Sequence, residues 1–174
     1  MSGEIIIRNA TQDEMKIVGE LYTRGWQRTY PGLVPQEYLD SMSCEKSAKR
    51  FKEYMNTQGQ GILVAVDYND VPVGFTAYCM DEGIEDCVLL DSLHVSPSHQ
   101  SKGIGKKLIF ALGQLARVKG HSRMSISVVD GNTRARDIYQ HLGAVYVLSY
   151  QHTLDERFTA PSKTYVWNDL NVFN

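Results

Sequence analysis

The chain lacks the features of a metal site, a disulfide scaffold, a membrane span or a general nucleic-acid binder. Its five histidines, at 94, 99, 121, 141 and 152, form no HxH or HxxxH pair, so no metal site is expected. Cys44, Cys79 and Cys87 are odd in number and show no CxxC spacing. That fits a reduced, cytoplasmic protein in which cysteine is a small packing residue. No apolar run approaches the roughly 18 residues of a membrane helix, so no membrane partner is expected. The formal net charge of −2 lacks the basic excess of a nucleic-acid binder, and no nucleic-acid partner is expected. The opening MSGEIIIRNA places Glu4 where a signal peptide carries positive charge, and its apolar run stops after Ile7. Repeats, low-complexity tracts and linker-like stretches are missing too, which predicts one compact domain over residues 1–174.

What is present is ordinary for a globular chain: 43% apolar and 22% charged over 174 residues. Short β-branched or alternating runs predict strands at Ile5 to Ile7, Ile62 to Val66, Val71 to Met80, Cys87 to Val95, Arg123 to Val129, Val145 to Thr153 and Lys163 to Trp167. Helical spacing predicts helices over about Thr11 to Gln27, opened by a capping-box pattern, and over Glu45 to Met55 and Gly105 to Lys119. A short helix with Pro35 in its first turn, and another from Asn132 to a left-handed Gly143, complete a mixed α/β order.

The stretch HQSKGIGKKL (99–108) brings two glycines and three lysines to the point where a strand gives way to a helix. A helix start exposes unpaired N–H groups that attract anions, and glycine lets backbone approach a ligand closely. Neither GxxxxGK[ST] nor GxGxxG is satisfied. Taken locally, the loop is either a phosphate cradle or a tight turn with solvated lysines.

The wider pattern is more specific. LDSLHVSP (90–97), followed by QSKGIG (100–105) and Leu108, resembles the signature of the GNAT acetyltransferase superfamily. That signature reads L-x-V-x-P, a short spacer, then Arg or Gln-x-x-Gly-x-Gly or Ala. A second block, Asn132 to Ala135 with Tyr139 and Gly143-Ala144, stands at the family's spacing. Ile7-Arg8, Thr11, Trp26 and YPG (30–32) look like one of its bacterial branches.

The resemblance implies a mixed α/β (α+β) fold with a mostly antiparallel central sheet and helices on both faces. Its fourth and fifth strands would splay into a wedge. It implies acetyl-CoA as co-substrate, without metal. The pantetheine arm would lie along Leu93, His94 and Val95, chiefly on the backbone of Leu93 and Val95. The pyrophosphate would sit in the loop Gln100, Ser101, Lys102, Gly103, Ile104, Gly105 and Lys106. Asn132, with Ala135 and Tyr139 in its block, would reach the same arm, although Asn132 also reads as a helix N-cap.

The chemistry sets its own demands. An amine attacking a thioester creates an oxyanion that needs a backbone donor, for which Leu93 N–H on a bulged strand is the candidate. The departing thiolate needs a proton, which a tyrosine protonated at neutral pH can donate. By its place in the family block that residue is Tyr139, whose other reading is a packing tyrosine. The base is open between Asp91, His94 and water; by strict alternation Asp91 and His94 face opposite ways unless a bulge intervenes.

The acids of Asp81 to Asp91 read either as a field beside the basic loop that draws in a cationic amine, or as a solvated turn. Trp26, Tyr30 and Tyr38 are candidates for the acceptor wall. The expected function is transfer of acetyl to a primary amine of a small molecule or peptide through a ternary complex. The rivals are a catalytically silent acyl-CoA-binding module and an ATP-binding protein. The strands after Val145 could pair with a second copy as a homodimer.

Overall fold

The computed structural model describes residues 3–174. Strand β1 (Ile6–Asn9) leads through a 3-10 turn (Gln12–Glu14) into α1 (Met15–Thr29), α2 (Gln36–Ser41) and α3 (Cys44–Met55). Then come β2 (Gly61–Val66), β3 (Pro72–Met80) and β4 (Cys87–Val95), followed by α4 (Ile104–Val118) and β5 (Arg123–Val129). The chain closes with α5 (Thr133–His141), β6 (Val145–Thr153), β7 (Thr159–Trp167) and a last 3-10 turn (Leu170–Phe173). The strands form one sheet in the order β1-β2-β3-β4-β5-β7-β6. Every pairing is antiparallel except β4 with β5.

Why the central strands read as unbroken apolar runs is plain from their burial. Side chains alternate between faces along a strand, and here both faces are covered. Leu63 and Ala65 pack with Leu108, Ile109 and Leu112 of α4. Ile62, Val64 and Val66 pack on the other face with Met15, Val18 and Phe51 of α1 and α3. The outermost strand β6 is different: Val145, Tyr146, Val147 and Leu148 are all exposed.

Most element ends shift by one or two residues from the sequence reading, and three departures have a clear local setting. The predicted first helix begins as a 3-10 turn, with α1 proper starting at Met15. Glu14 accepts from Thr11 N–H at 2.8 Å, as a capping box requires, but it is also held by both terminal nitrogens of Arg8 at 2.9 and 2.8 Å. Pro35 lies just before α2 rather than inside its first turn. Strand β7 starts at Thr159, not Lys163, because Thr159 to Ser162 pair with Tyr150 to Thr153. Pro161 is tolerated there: its carbonyl accepts from Asp130 N–H at 2.8 Å on the side where β5 has ended, so its missing N–H breaks no ladder bond to β6.

The feature that positions the site is the parting of β4 from β5. Pairing runs from Cys87↔Arg123 to Leu90↔Ile126 and goes no further, although β4 continues to Val95 and β5 to Val129. At the same point the β3 register jumps from Ala77↔Ser92 to Tyr78↔Leu90, which leaves Asp91 as the extra residue of a bulge. A bulge bends its strand and sharpens the twist, and β4 turns away from β5 there. Among the described residues no helix is long and apolar enough to cross a membrane.

Candidate functional site

Beyond the bulge, β4 keeps its bonds to β3. Ser96 N–H donates to Val73 O at 2.8 Å, and His94 stands opposite Phe75. Backbone direction alternates along a strand, so the N–H and C=O groups of Leu93 and Val95 face the open wedge. They can receive an extended ligand as a sheet edge receives a strand. The Val95 carbonyl already accepts from Gln100 Nε2 at 3.1 Å, so Gln100 ties the following loop back to the strand end.

That loop enters α4 through Gly103, at φ 78 in the left-handed region. The first intrahelical donor there is Lys107 N–H, bonded to Gly103 O at 3.0 Å, so the amides of Ile104, Gly105 and Lys106 point out of the helix start. A Cβ at Gly105 would meet only a Val95 methyl at 4.0 Å. The two glycines therefore serve differently: Gly103 supplies a backbone conformation, and Gly105 leaves a surface bare for close approach. The Ile104 side chain is buried in the core, which leaves only its amide for a ligand. Ser101 also has positive φ, and Arg134 Nη2 reaches its hydroxyl at 3.4 Å, adding a cation that the sequence reading did not place there. Lys102 and Lys106 are exposed around the same point. Asn132 caps α5 by accepting from Ala135 N–H at 3.4 Å.

A cavity of about 520 Å³ opens on the inner side of the wedge and gathers Asp91, Leu93, His94 and Tyr139. Val95, residues 100–106, Asn132 and Ala135 do not line it; they stand at the outer end of β4 and the start of α5. Tyr139 is held edge-on to Trp167, with ring centroids 6.1 Å apart, and Trp167 Nε1 ties down the end of α5 through Leu142 O at 3.1 Å. Burial, reinforced by Tyr30, pushes the Tyr139 phenol well above its ordinary value, so it is a proton donor and not an anion at neutral pH.

The bulge overturns the strict alternation that would have placed Asp91 and His94 on opposite sides. Both line the cavity. His94 stacks on Phe75 at 5.7 Å and meets Tyr22 edge-on at 5.5 Å, while a methyl at Gly25 would collide with its Nδ1. Burial, and then Arg28, lower its pKa to about 4. An imidazole lowered this far is neutral at pH 7 and offers an ammonium no opposite charge. Its backbone pairs with β3 and is not free for a ligand in the wedge, while its side chain packs against Phe75 and against Tyr22 of α1. Asp91 lies partly exposed, 3.7 Å from Arg50 Nη2.

Trp26, Tyr30 and Tyr38 do come together on the cavity wall, with Trp26 at 4.6 Å from Tyr30 and 6.0 Å from Tyr38. Asp81 to Asp86 do not stand beside the basic loop. They lie at the start of β4 and the glycine loop follows its end, about 30 Å away at strand rise. Asp81 accepts from Gly83 N–H, Ile84 N–H and the Ser125 hydroxyl, and Asp86 from Ser122 and His121, so these acids close a turn and clamp it to β5. Sequence reasoning missed Arg50, Tyr22, Tyr150 and His152, which also line the cavity. They reside on α1, α3 and β6, and no local motif links those elements to the wedge. Among the described residues, no three His, Cys, Asp or Glu side chains cluster as a metal site.

A sequence profile of the acetyltransferase (GNAT) family matches residues 21–144, most of the chain and all of the wedge. The chain belongs to the GNAT family. Within it, this GNAT protein is 39% identical over 57 residues to thialysine N-epsilon-acetyltransferase of Bos taurus, a match covering 33% of this chain and 34% of that protein. Its fold matches PaiA N-acetyltransferase of Thermoplasma acidophilum in complex with coenzyme A, at TM-score 0.70 and 22% identity over 93% of this chain and 99% of that one. It also matches the Salmonella typhimurium protein yncA with acetyl-CoA, at TM-score 0.73 and 20% identity over 95% and 94%. These two likenesses speak for the GNAT fold: the mostly antiparallel sheet with one parallel pair and helices on both faces.

Proposed function

We propose that the protein is an acetyl-CoA-dependent N-acetyltransferase that acts by direct transfer in a ternary complex, on a primary amine of a small molecule or peptide. The observation that carries this reading is the wedge itself: one cavity joins free strand backbone at Leu93, a carboxylate at Asp91 and a protonated phenol at Tyr139. The fold neighbours with coenzyme A and acetyl-CoA support the choice of co-substrate. The donors present suit it: bare amides at the α4 start with cations for a diphosphate, and unpaired β4 backbone for an amide-bearing arm.

Acetyl-CoA supplies an activated acyl group on a thiol leaving group. The chain's residues do the rest. Leu93 and Val95 align the arm along β4. Leu93 N–H stabilises negative charge as it develops on the carbonyl oxygen, in a site where the donor is already oriented. Asp91, directly or through water, takes a proton from the incoming ammonium: its carboxylate stands on the cavity wall and attracts the cation, whereas the His94 ring is neutral and packed against Phe75 and Tyr22. Tyr139 donates to the departing sulfur. The aromatic wall excludes water and holds the acceptor's apolar part.

The thialysine relative makes an amino-acid amine a natural first member of an acceptor panel. Free-thiol release from acetyl-CoA across amines tests the reading. Binding without release from any amine would point instead to a silent acyl-CoA-binding module, and preferential thermal stabilisation by ATP would point to a nucleotide site. The reading extends to a homodimer: nine-residue β6 is a sheet edge with exposed Val145, Tyr146, Val147 and Leu148, a surface suited to a second copy. Light scattering of the purified protein measures that state.

A further inference from the structure

Among the described residues lining the cavity, Arg50 is the one permanent cation and Asp91 the one carboxylate. They stand on different elements, α3 and the β4 bulge, and face each other with Nη2 3.7 Å from Oδ2. That separation is long for a hydrogen bond and leaves the guanidinium fork without a bidentate partner on Asp91. Arg50 is packed over the rings of Tyr22 and Phe51, at 5.2 and 5.1 Å, yet 48% of its side chain stays accessible. It is the guanidinium itself that rests on those rings, and with much of the side chain still open on a concave wall it is set to receive an anion.

We infer that the acceptor is a free α-amino acid with an apolar or aromatic side chain, its carboxylate held by Arg50 and its α-amine presented at Asp91. This inference rests on the acetyltransferase reading above and narrows it. The reason is spacing. In an α-amino acid the amine nitrogen and carboxyl carbon are two bonds, or about 2.5 Å, apart. A close anion–cation pair on the protein matches a close zwitterion. A side-chain amine lies several bonds from its carboxylate, and anchoring that carboxylate on Arg50 would carry the amine past Asp91. Trp26, Tyr30 and Tyr38 provide the adjoining apolar wall. In the reaction the C–N bond forms and the C–S bond breaks. The ammonium gives up two protons, one of which ends on the coenzyme A thiol through Tyr139 and one in solvent through Asp91. The products are the N-acetylamino acid, coenzyme A and one proton.

The experiment measures thiol release with acetyl-CoA and the common L-amino acids, their amides and the matching decarboxylated amines. Acetylated L-lysine is mapped by fragmentation. L-Phenylalanine should exceed phenethylamine in kcat/KM by about 10- to 200-fold, the range for hydrogen bonds to a charged group, and lysine should carry acetyl on its α-nitrogen. Arg50→Met should collapse the phenylalanine-to-phenethylamine ratio toward unity, with Arg50→Lys in between. The ratio is the readout because any disturbance of Asp91 falls on both amines alike, and acetyl-CoA affinity reports that the variants are folded. Equal turnover of phenylalanine and phenethylamine, ε-acetylated lysine, or an unchanged ratio in Arg50→Met would overturn the inference while leaving an acetyltransferase. Acetyl-CoA binding with no thiol release from any amine would overturn both.

Discussion

His94 makes the energetics of the cavity measurable. In the unfolded chain a histidine titrates near 6.5, whereas burial and Arg28 lower His94 to about 4 in the folded protein. Between those values the unfolded state binds the extra proton, so stability is fully present above pH 6.5 and is lost as pH falls toward 4. The full difference is worth about 3 kcal/mol at 1.36 kcal/mol per unit, and about 2 kcal/mol of it should be gone by pH 5. The assay is urea denaturation followed by Trp26 and Trp167 fluorescence at pH 7 and pH 5, for the natural protein and for His94→Leu. Leucine fills the space beside Phe75 and Tyr22 without a titrating group. Glu14, Asp86 and Asp155, whose pKa values are also lowered, contribute equally to both proteins and cancel in the comparison. The natural protein should lose about 2 kcal/mol more than the variant. An equal loss in both would show that His94 is not held neutral by burial.

The remaining predictions concern the two ends of the wedge. Gly103→Ala should cost about 1 kcal/mol of stability in thermal melts, because it forces a side chain into the left-handed region. Gly105→Val, with no such strain and only Val95 nearby, should melt at the natural temperature yet bind acetyl-CoA more weakly by calorimetry; a fall in melting temperature matching that of Gly103→Ala would refute the division of roles. Asn132→Ala should lose about 1 kcal/mol through the missing α5 cap, and should weaken acetyl-CoA binding if the side chain also reaches the pantetheine arm. Tyr139→Phe should lower kcat and leave acetyl-CoA affinity nearly unchanged. A rate equal to that of the natural protein would remove Tyr139 from the mechanism.

How far the site was legible depended on whether its parts are local in sequence. The glycine loop, the β4 strand and the α5 cap each lie within a few residues, so their spacing carried their geometry. The β4 bulge could be anticipated only from the family resemblance, and which residue it extrudes required the β3 register on both sides of Asp91. The acidic turn was ambiguous because charge counts do not say which end of a strand a segment occupies. Arg50 was unreadable: on α3 it is one basic residue among several, and only the packing of α3 against α1 and the open end of β4 turns it into the cavity's cation.

Apolar periodicity and turn chemistry thus determined the elements of this chain, their order and the gathering of glycines and lysines at one helix start, because those properties follow from neighbours along the backbone. Tertiary structure decided which polar side chains share one cavity, that His94 is neutral there, and that Asp91 faces Arg50. Those outcomes depend on burial and on distances between strands and helices far apart in the chain, and no local pattern encodes either.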